Sequence, residues 1–203
     1  MSEAHEKADE CERRRTRCDQ LLTAAAELFR RHGFHGASMA ELAKTASMSV
    51  GQIYHYFENK EAIVAAIVER DLQHKLAIFE GFEASGKDLY DVMIEQVDRG
   101  YDDSRQVAKS ALMLEIQAEA ARNPKVARLV DESDRIAHDK LRDLVLKSRR
   151  GKRQWPQEEL EARTEMLVSV FQGLRLRALR RPDDSRNAMI SVLRMVIRRI
   201  LED

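Results

Sequence analysis

Apolar positions recur along the chain at intervals of three and four residues, the period of helices buried along one face. Leu21, Leu22, Ala25, Leu28 and Phe29 form the first such stripe, and Gly33 stands just past its end as a C-cap. Ser38-Met39-Ala40-Glu41 then reads as a capping box, in which the hydroxyl accepts the N3 amide and the carboxylate reaches back to the N-cap. The short helix it opens buries Met39 and Leu42, while Ala43 and Ala46 let a neighbour approach. Ser49 is a second N-cap, starting a helix that carries Ile53 and Phe57 inward. Asn59 caps a third start, and from Lys60 a long helix runs toward Gly81 with Ile63, Ile67, Leu76 and Phe79 on its inner face.

Beyond Gly86 the same period continues. One stripe holds Leu89, Val92, Met93 and Val97 and ends near Gly100; the next holds Val107, Ala111, Leu114 and Ala118 and stops at Asn123-Pro124. Pro124 suits the first turn of a helix through Val126, Leu129, Ile136, Leu141 and Leu144, which frays across residues 149–152. Pro156 starts another through Leu160, Leu167, Val170, Phe171 and Leu174, ending near residues 181–182. The last begins near residue 184 and carries Met189, Val192, Leu193, Val196, Ile197 and Ile200. The pattern predicts an all-α fold of about nine helices, with no internal repeat.

Composition agrees with this reading. Only 8 Gly and 3 Pro in 203 residues leave little room for the turns of an all-β protein. No run approaches the ~18 apolar residues of a membrane span, and the N-terminus lacks the apolar core of a signal peptide. The expected location is therefore the cytoplasm, with no membrane partner. Cys11 and Cys18 would lie roughly 10 Å apart on a helix, too far for a disulfide, so two thiols without a redox role are expected. The formal net charge is zero, but residues 13–60 carry Arg13, Arg14, Arg15, Arg17, Arg30, Arg31, Lys44 and Lys60 against Asp19, Glu27, Glu41 and Glu58. A basic module joined to a more acidic one results.

Helix, three-residue turn and short helix between Ser38 and Phe57 is the geometry of a helix-turn-helix. The outer face of its second helix offers Val50, Gly51, Gln52, Tyr54 and His55, groups that are small or able to hydrogen-bond in a major groove. Tyr54, His55, Ser38 and Lys60 suit phosphate oxygens. Periodicity alone would equally allow three ordinary capped helices with a solvated face. The residues decide: LLTAAAELFRRHGFHGASMAELAKTASMSVGQIYHYFENKEAI closely resembles the N-terminal DNA-binding domain of TetR-family transcriptional regulators, without gaps from about Arg17 to Glu69. The resemblance implies that Ser49 to His55 form the recognition helix, that Ser38, Tyr54 and Lys60 touch phosphates, and that Phe29, Ile53 and Phe57 set the angle between helices. Arg17 joins this DNA-facing set. Two positions depart from the family pattern: Ser38 replaces a usual Thr, and Ser47 replaces a usual Gly in the turn, where φ > 0 would strain a side chain.

The charged N-terminus predicts a mobile arm over residues 1–12, and the resemblance implies a DNA-binding domain over 13–69 and a helical regulatory and dimerisation domain over 70–203. It points to a repressor that binds a palindromic operator as a homodimer and is released by a small-molecule inducer. The alternatives are a ligand-independent activator or architectural protein with the same head, and a helical interaction module with a vestigial head. The dimer is expected through Phe171, Leu174, Val192, Val196, Ile197 and Ile200, with Gly173 at a close helix crossing. Met93, Met113, Met166 and Phe171 are candidates for a pocket lining. His74 and His138 lack partners at metal-ligand spacing, so neither metal nor cofactor is expected. Glu115 and Glu119 lie one turn apart without a nucleophile or phosphate loop; they read as solvated or paired with Arg122, and no enzyme is indicated.

Overall fold

The computed structural model describes residues 2–148, 155–180 and 185–202, with side chains from residue 12 onward. Among the described residues there are ten α-helices and no strand: α1 (Ser2–Gly36), α2 (Met39–Ala46), α3 (Val50–Tyr56), α4 (Lys60–Ala84), α5 (Leu89–Glu95), α6 (Val97–Ser104), α7 (Val107–Ala120), α8 (Pro124–Lys147), α9 (Gln157–Ala178) and α10 (Arg186–Glu202). The helix ends expected at 149–152 and 181–184 lie outside the described residues, as does the side chain of Cys11. Cys18 is partly exposed on α1.

The chain divides into two compact units. The first contains the residues up to Glu69 together with Glu115–Val130, so the end of α7 and the start of α8 belong with the N-terminal helices rather than with the C-terminal ones. Residues 2–12, set apart in the sequence as an arm, have helical backbone continuous with α1. The core of this unit is built on Leu21, Ala25, Phe29, Leu42, Ile53 and Ile63, each at most 2% exposed. Their helical spacing on α1 to α4 is what makes these four segments one bundle.

The second unit contains Arg70–Leu114 and the residues from Asp131 onward. Its core gathers Leu89, Met93, Val97 and Tyr101 with Leu141, Val145, Leu167, Leu193 and Ile197. The helix expected from Leu89 to Gly100 is two helices. It breaks at Gln96 (φ −100°, ψ 8°), which has no capping side chain, and neither Gly nor Pro marks the spot. Gly100 does not end a helix; it lies inside α6, where an added Cβ would stand 3.3 Å from the ring of Phe171. At Gly173, on α9, an added Cβ would meet no other described part of the chain within 4 Å, so no crossing inside this chain uses that position.

One buried charge cluster sits in this unit. Asp71, on α4 and 9% exposed, is 3.2 Å from Lys75 Nζ and 3.0 Å from Lys109 Nζ. Burial pushes its carboxyl up, but the two lysines outweigh burial and hold it below its ordinary value of 3.8. A carboxylate with a depressed folded pKa contributes stability that is present above the unfolded value and lost as pH falls through the folded one. Asp71→Asn should therefore lower stability by about 1–3 kcal/mol at neutral pH. Urea midpoints of the two proteins should converge as the pH falls progressively below the ordinary aspartate value of 3.8.

Candidate nucleic-acid interface

Two capping boxes build the reading head. The Ser38 hydroxyl accepts from the Glu41 amide (3.1 Å), and the Glu41 carboxylate accepts from the Ser38 amide (2.9 Å), which fixes the start of α2. That amide contact and the Ser38 hydroxyl hold the Glu41 carboxyl below the usual range. Ser49 and Gln52 repeat the motif on α3: Ser49 Oγ accepts from the Gln52 amide (3.1 Å), and Gln52 Oε1 accepts from the Ser49 amide (2.8 Å). Between the helices, Ser47 takes the left-handed conformation (φ 53°, ψ 45°), so the Ser-for-Gly departure falls at a position that favours glycine. The backbone there is held by Met48 N donating to Ala43 O at 2.9 Å.

Ile53, fully buried, pins α3 to the core and turns the opposite face outward. Val50 and Tyr54 are 40% and 52% exposed, and Gly51, Gln52 and His55 are exposed beside them. Arg17, four residues before Leu21, the first buried residue described on α1, comes to the same place. Together with Ser47, Met48, Gly51, Gln52, His55 and Tyr56 it lines a hollow of about 420 Å³ against α3. Ser47, Met48 and Tyr56 are additions that the sequence reading missed; the turn's position beside α3 was the signal for the first two. Ser38 and Ser49 are exposed at the starts of α2 and α3.

Two expected contacts have prior engagements. Gln52 Oε1 already accepts from the Ser49 amide, which turns the amide toward the cap and leaves Nε2 as its more available group while the box is closed. Lys60 Nζ donates to Phe34 O (2.8 Å) and Ala37 O (3.0 Å) and lies 4.6 Å from the centre of the Phe34 ring. It satisfies carbonyls at the C-terminal end of α1, a role its place near the start of α4 does not disclose. One of its three N–H groups is left for a phosphate.

The turn that leaves α1 is clasped from α7 as well. A kink at Gly33 (φ 71°, ψ 166°) interrupts α1 just before its end, Phe34 N donates to Glu115 Oε1 (2.9 Å), and His35 Nε2 lies 3.0 Å from Glu119 Oε2. Glu119 is 1% exposed and accepts from Asn123 Nδ2 (3.1 Å), with Arg122 Nη2 at 3.6 Å. The Arg122 contact expected from sequence exists, but this carboxylate pair is not a solvated one: it holds the end of α1.

The second unit encloses a cavity of about 510 Å³. Met93 and Phe171 line it, with Phe79, Phe82 and Leu141. Met113 and Met166 do not: Met113 is half-buried elsewhere and Met166 is 53% exposed on α9. Helical periodicity gives the face a residue occupies, not the depth of the space behind it. Among the described residues no three His, Cys, Asp or Glu side chains gather as a metal site, and no helix is long and apolar enough to cross a membrane.

A capped helix-turn-helix with a polar reading face, followed by a helical unit with its own cavity, defines a DNA-binding transcriptional regulator. Residues 21–67 match the family described as bacterial regulatory proteins, tetR family, and residues 90–202 match the BetI-type transcriptional repressor, C-terminal. The chain belongs to the TetR family, with a C-terminal domain of the BetI type. It is 37% identical over 111 residues to the HTH-type transcriptional regulator UidR of Escherichia coli (strain K12), a match covering 55% of this chain and 55% of that protein. Against the HTH-type transcriptional regulator BetI of Escherichia coli (strain K12 / DH10B) it is 29% identical over 163 residues, covering 78% and 80%. The fold is that of Salmonella enterica GusR, with a TM-score of 0.72 at 24% identity over 93% of this chain and 96% of that one.

The ammonium of Lys60 therefore has a testable structural duty. Lys60→Met keeps the stem and removes both charge-assisted hydrogen bonds, and should cost about 1.5–3 kcal/mol. A urea titration that leaves the midpoint unmoved would show that the carbonyls of Phe34 and Ala37 are satisfied otherwise.

Proposed function

We propose that the protein is a repressor that binds a palindromic operator in double-stranded DNA as a homodimer and is released when a small molecule enters the cavity of its second unit. The observation that carries the reading is the capped, outward-facing α3, with Ile53 buried beneath it and Arg17 beside it. Arg17, Ser38, Ser49, Val50, Gly51, Gln52, Tyr54, His55 and Lys60 form the DNA-facing set, residues 13–69 supplying the head and 70–203 the regulatory domain. Repression is the behaviour that the C-terminal family's description carries. Such a protein works beside the chromosome, in the cytoplasm, and needs no catalytic chemistry of its own.

Dimerisation rests on an unpartnered face. On α9, Ala162, Met166, Ser169, Gly173 and Leu176 are exposed in one stripe, opposite the buried Leu160, Leu167 and Leu174. On α10, Ala188, Val192 and Met195 are exposed opposite the buried Ile190, Leu193, Ile197 and Leu201. Small residues beside Met and Leu suit a close helix crossing with a second copy. The proposed face differs from the set expected from sequence: Leu174 and Ile197 are buried in their own core, Phe171 lines the cavity, Val196 and Ile200 are half-buried, and Val192, 49% exposed, is kept.

Two measurements test the proposal. Met195→Glu should give a monomer by light scattering, with unchanged helical circular dichroism and operator affinity reduced by about 100-fold or more. Ile197→Glu should instead unfold the second unit, because its charge would be buried without a partner.

At the head, Gln52→Ala should weaken the selected operator by about 1–3 kcal/mol and leave scrambled duplex unaffected. With Oε1 held in the cap, the lost preference should fall at a base pair presenting a major-groove acceptor, such as a purine N7 or thymine O4. Equal losses on both duplexes would mean that α3 does not read bases through this residue.

A further inference from the structure

The cavity of the second unit has an apolar wall and an uneven set of charges. Phe79 and Phe82 from α4, Leu141 from α8 and Phe171 from α9 supply the wall. Most charged groups around it already have partners. Lys75 pairs with Asp71 at 3.2 Å and lies 3.9 Å from Asp134. Arg135 pairs with Glu132 at 2.7 Å and Asp139 at 3.2 Å. Asp103 accepts from Gln106 Nε2 at 3.2 Å, and Glu165 stands 3.8 Å from His138 Nε2.

Arg175 is the exception. It lines the cavity from α9, one turn beyond Phe171, and has no ion-pair partner among the described residues. Its Nε is buried without an acceptor. A buried N–H that has given up water and found no oxygen is an unfilled half of a hydrogen bond, and a guanidinium presents it in a fixed fork that matches a carboxylate.

We propose that the cavity binds an amphipathic organic carboxylate, with its aromatic or aliphatic body against Phe79, Phe82 and Phe171 and its carboxylate on Arg175. The inference rests on the reading of this cavity as the inducer site and names the class of inducer. Aromatic rings alone also suit an organic cation. Here a cation would be brought to the one positive group that lacks a counter-ion, while the lining carboxylates are already engaged, so the balance favours an anion.

The test uses three probes of one shape on the full-length protein: 1-naphthylacetate, its neutral amide, and (1-naphthylmethyl)trimethylammonium. Isothermal titration calorimetry should show the carboxylate binding at least ~10-fold more tightly than the amide, and the cation more weakly than either. Arg175→Gln should bring carboxylate and amide to within about twofold of each other, while Arg175→Lys should keep part of the preference. The comparison between probes on the unaltered protein does not depend on either variant folding.

Binding of the amide or the cation as tight as that of the carboxylate, or a carboxylate preference that survives Arg175→Gln, overturns the assignment. So does absence of binding by all three at millimolar concentration. Fluorescence anisotropy of labelled operator separates this from the reading beneath it. Carboxylate binding that leaves DNA bound removes the inducer role and keeps the anion site, whereas release of DNA by the cation alone keeps the inducer role and removes the anion site.

Discussion

The geometry of the reading head depends on how the C-terminal end of α1 is satisfied. A helix ends with carbonyls that lack intrahelical partners, and the chain here must also turn sharply to start α2 at Ser38. Gly33 supplies the positive φ, but a left-handed glycine only permits the turn; it does not hold it. Holding comes from far along the chain. Lys60 covers the carbonyls of Phe34 and Ala37, and Glu115 takes the amide of Phe34. A cation on carbonyls and an anion on an amide act on the same short segment, each matched to the dipole it meets. The angle at which α2 and α3 leave α1 is set by these contacts together with the packing of Ile53 and Phe29.

Economy at the capping boxes has a consequence for recognition. Each box uses a side chain at N3 that faces outward, and on α3 that side chain is Gln52. The residue proposed to read a base is thus also the residue that caps its own helix. Opening the box to free Oε1 for a bidentate contact with adenine would expose the Ser49 amide at the moment of binding. A single contact through Nε2 avoids that cost, because the cap stays closed. Under the proposed docking, such a contact would read an acceptor rather than a full adenine edge. Ser47 adds to the same tension: its left-handed backbone costs roughly 1–2 kcal/mol relative to an ordinary conformation, within a turn whose shape the docking of α3 needs.

What the sequence discloses follows the range of the interactions involved. The boxes at Ser38 and Ser49 and the cap at Asn59 act within four residues, so their partners stand in plain view. The inward turn of Ile53 follows from spacing alone. Lys60 and Glu115 act across 26 and 81 residues, and nothing near them names the carbonyl or amide they serve. The break at Gln96 is similar: no Gly or Pro breaks α5 from α6, so tertiary packing overrides a helical sequence there. For the cavity, periodicity identified Met93 and Phe171 as inward but could not separate them from Met113, because depth is a property of the assembled unit.

The two faces of α10 show why a wide apolar stripe is ambiguous. Ile190, Leu193, Ile197 and Leu201 recur at steps of three and four and are at most 5% exposed, so they are spent on the interior. Ala188, Val192 and Met195 follow the same steps, displaced by about half a turn, and remain outside. In the sequence the two sets merge into one broad hydrophobic arc, whose largest residues look like the best interface. The physical order is the reverse. The largest and most regular side chains go to the core, where each buried methylene contributes about 0.8 kcal/mol. The outer set is smaller and more adaptable, with Met195 and the backbone at Gly173 able to fit a neighbour's surface. A face of that kind is too apolar to be matched to water alone and too modest to fold the chain, which is why it is the face proposed to meet a second copy.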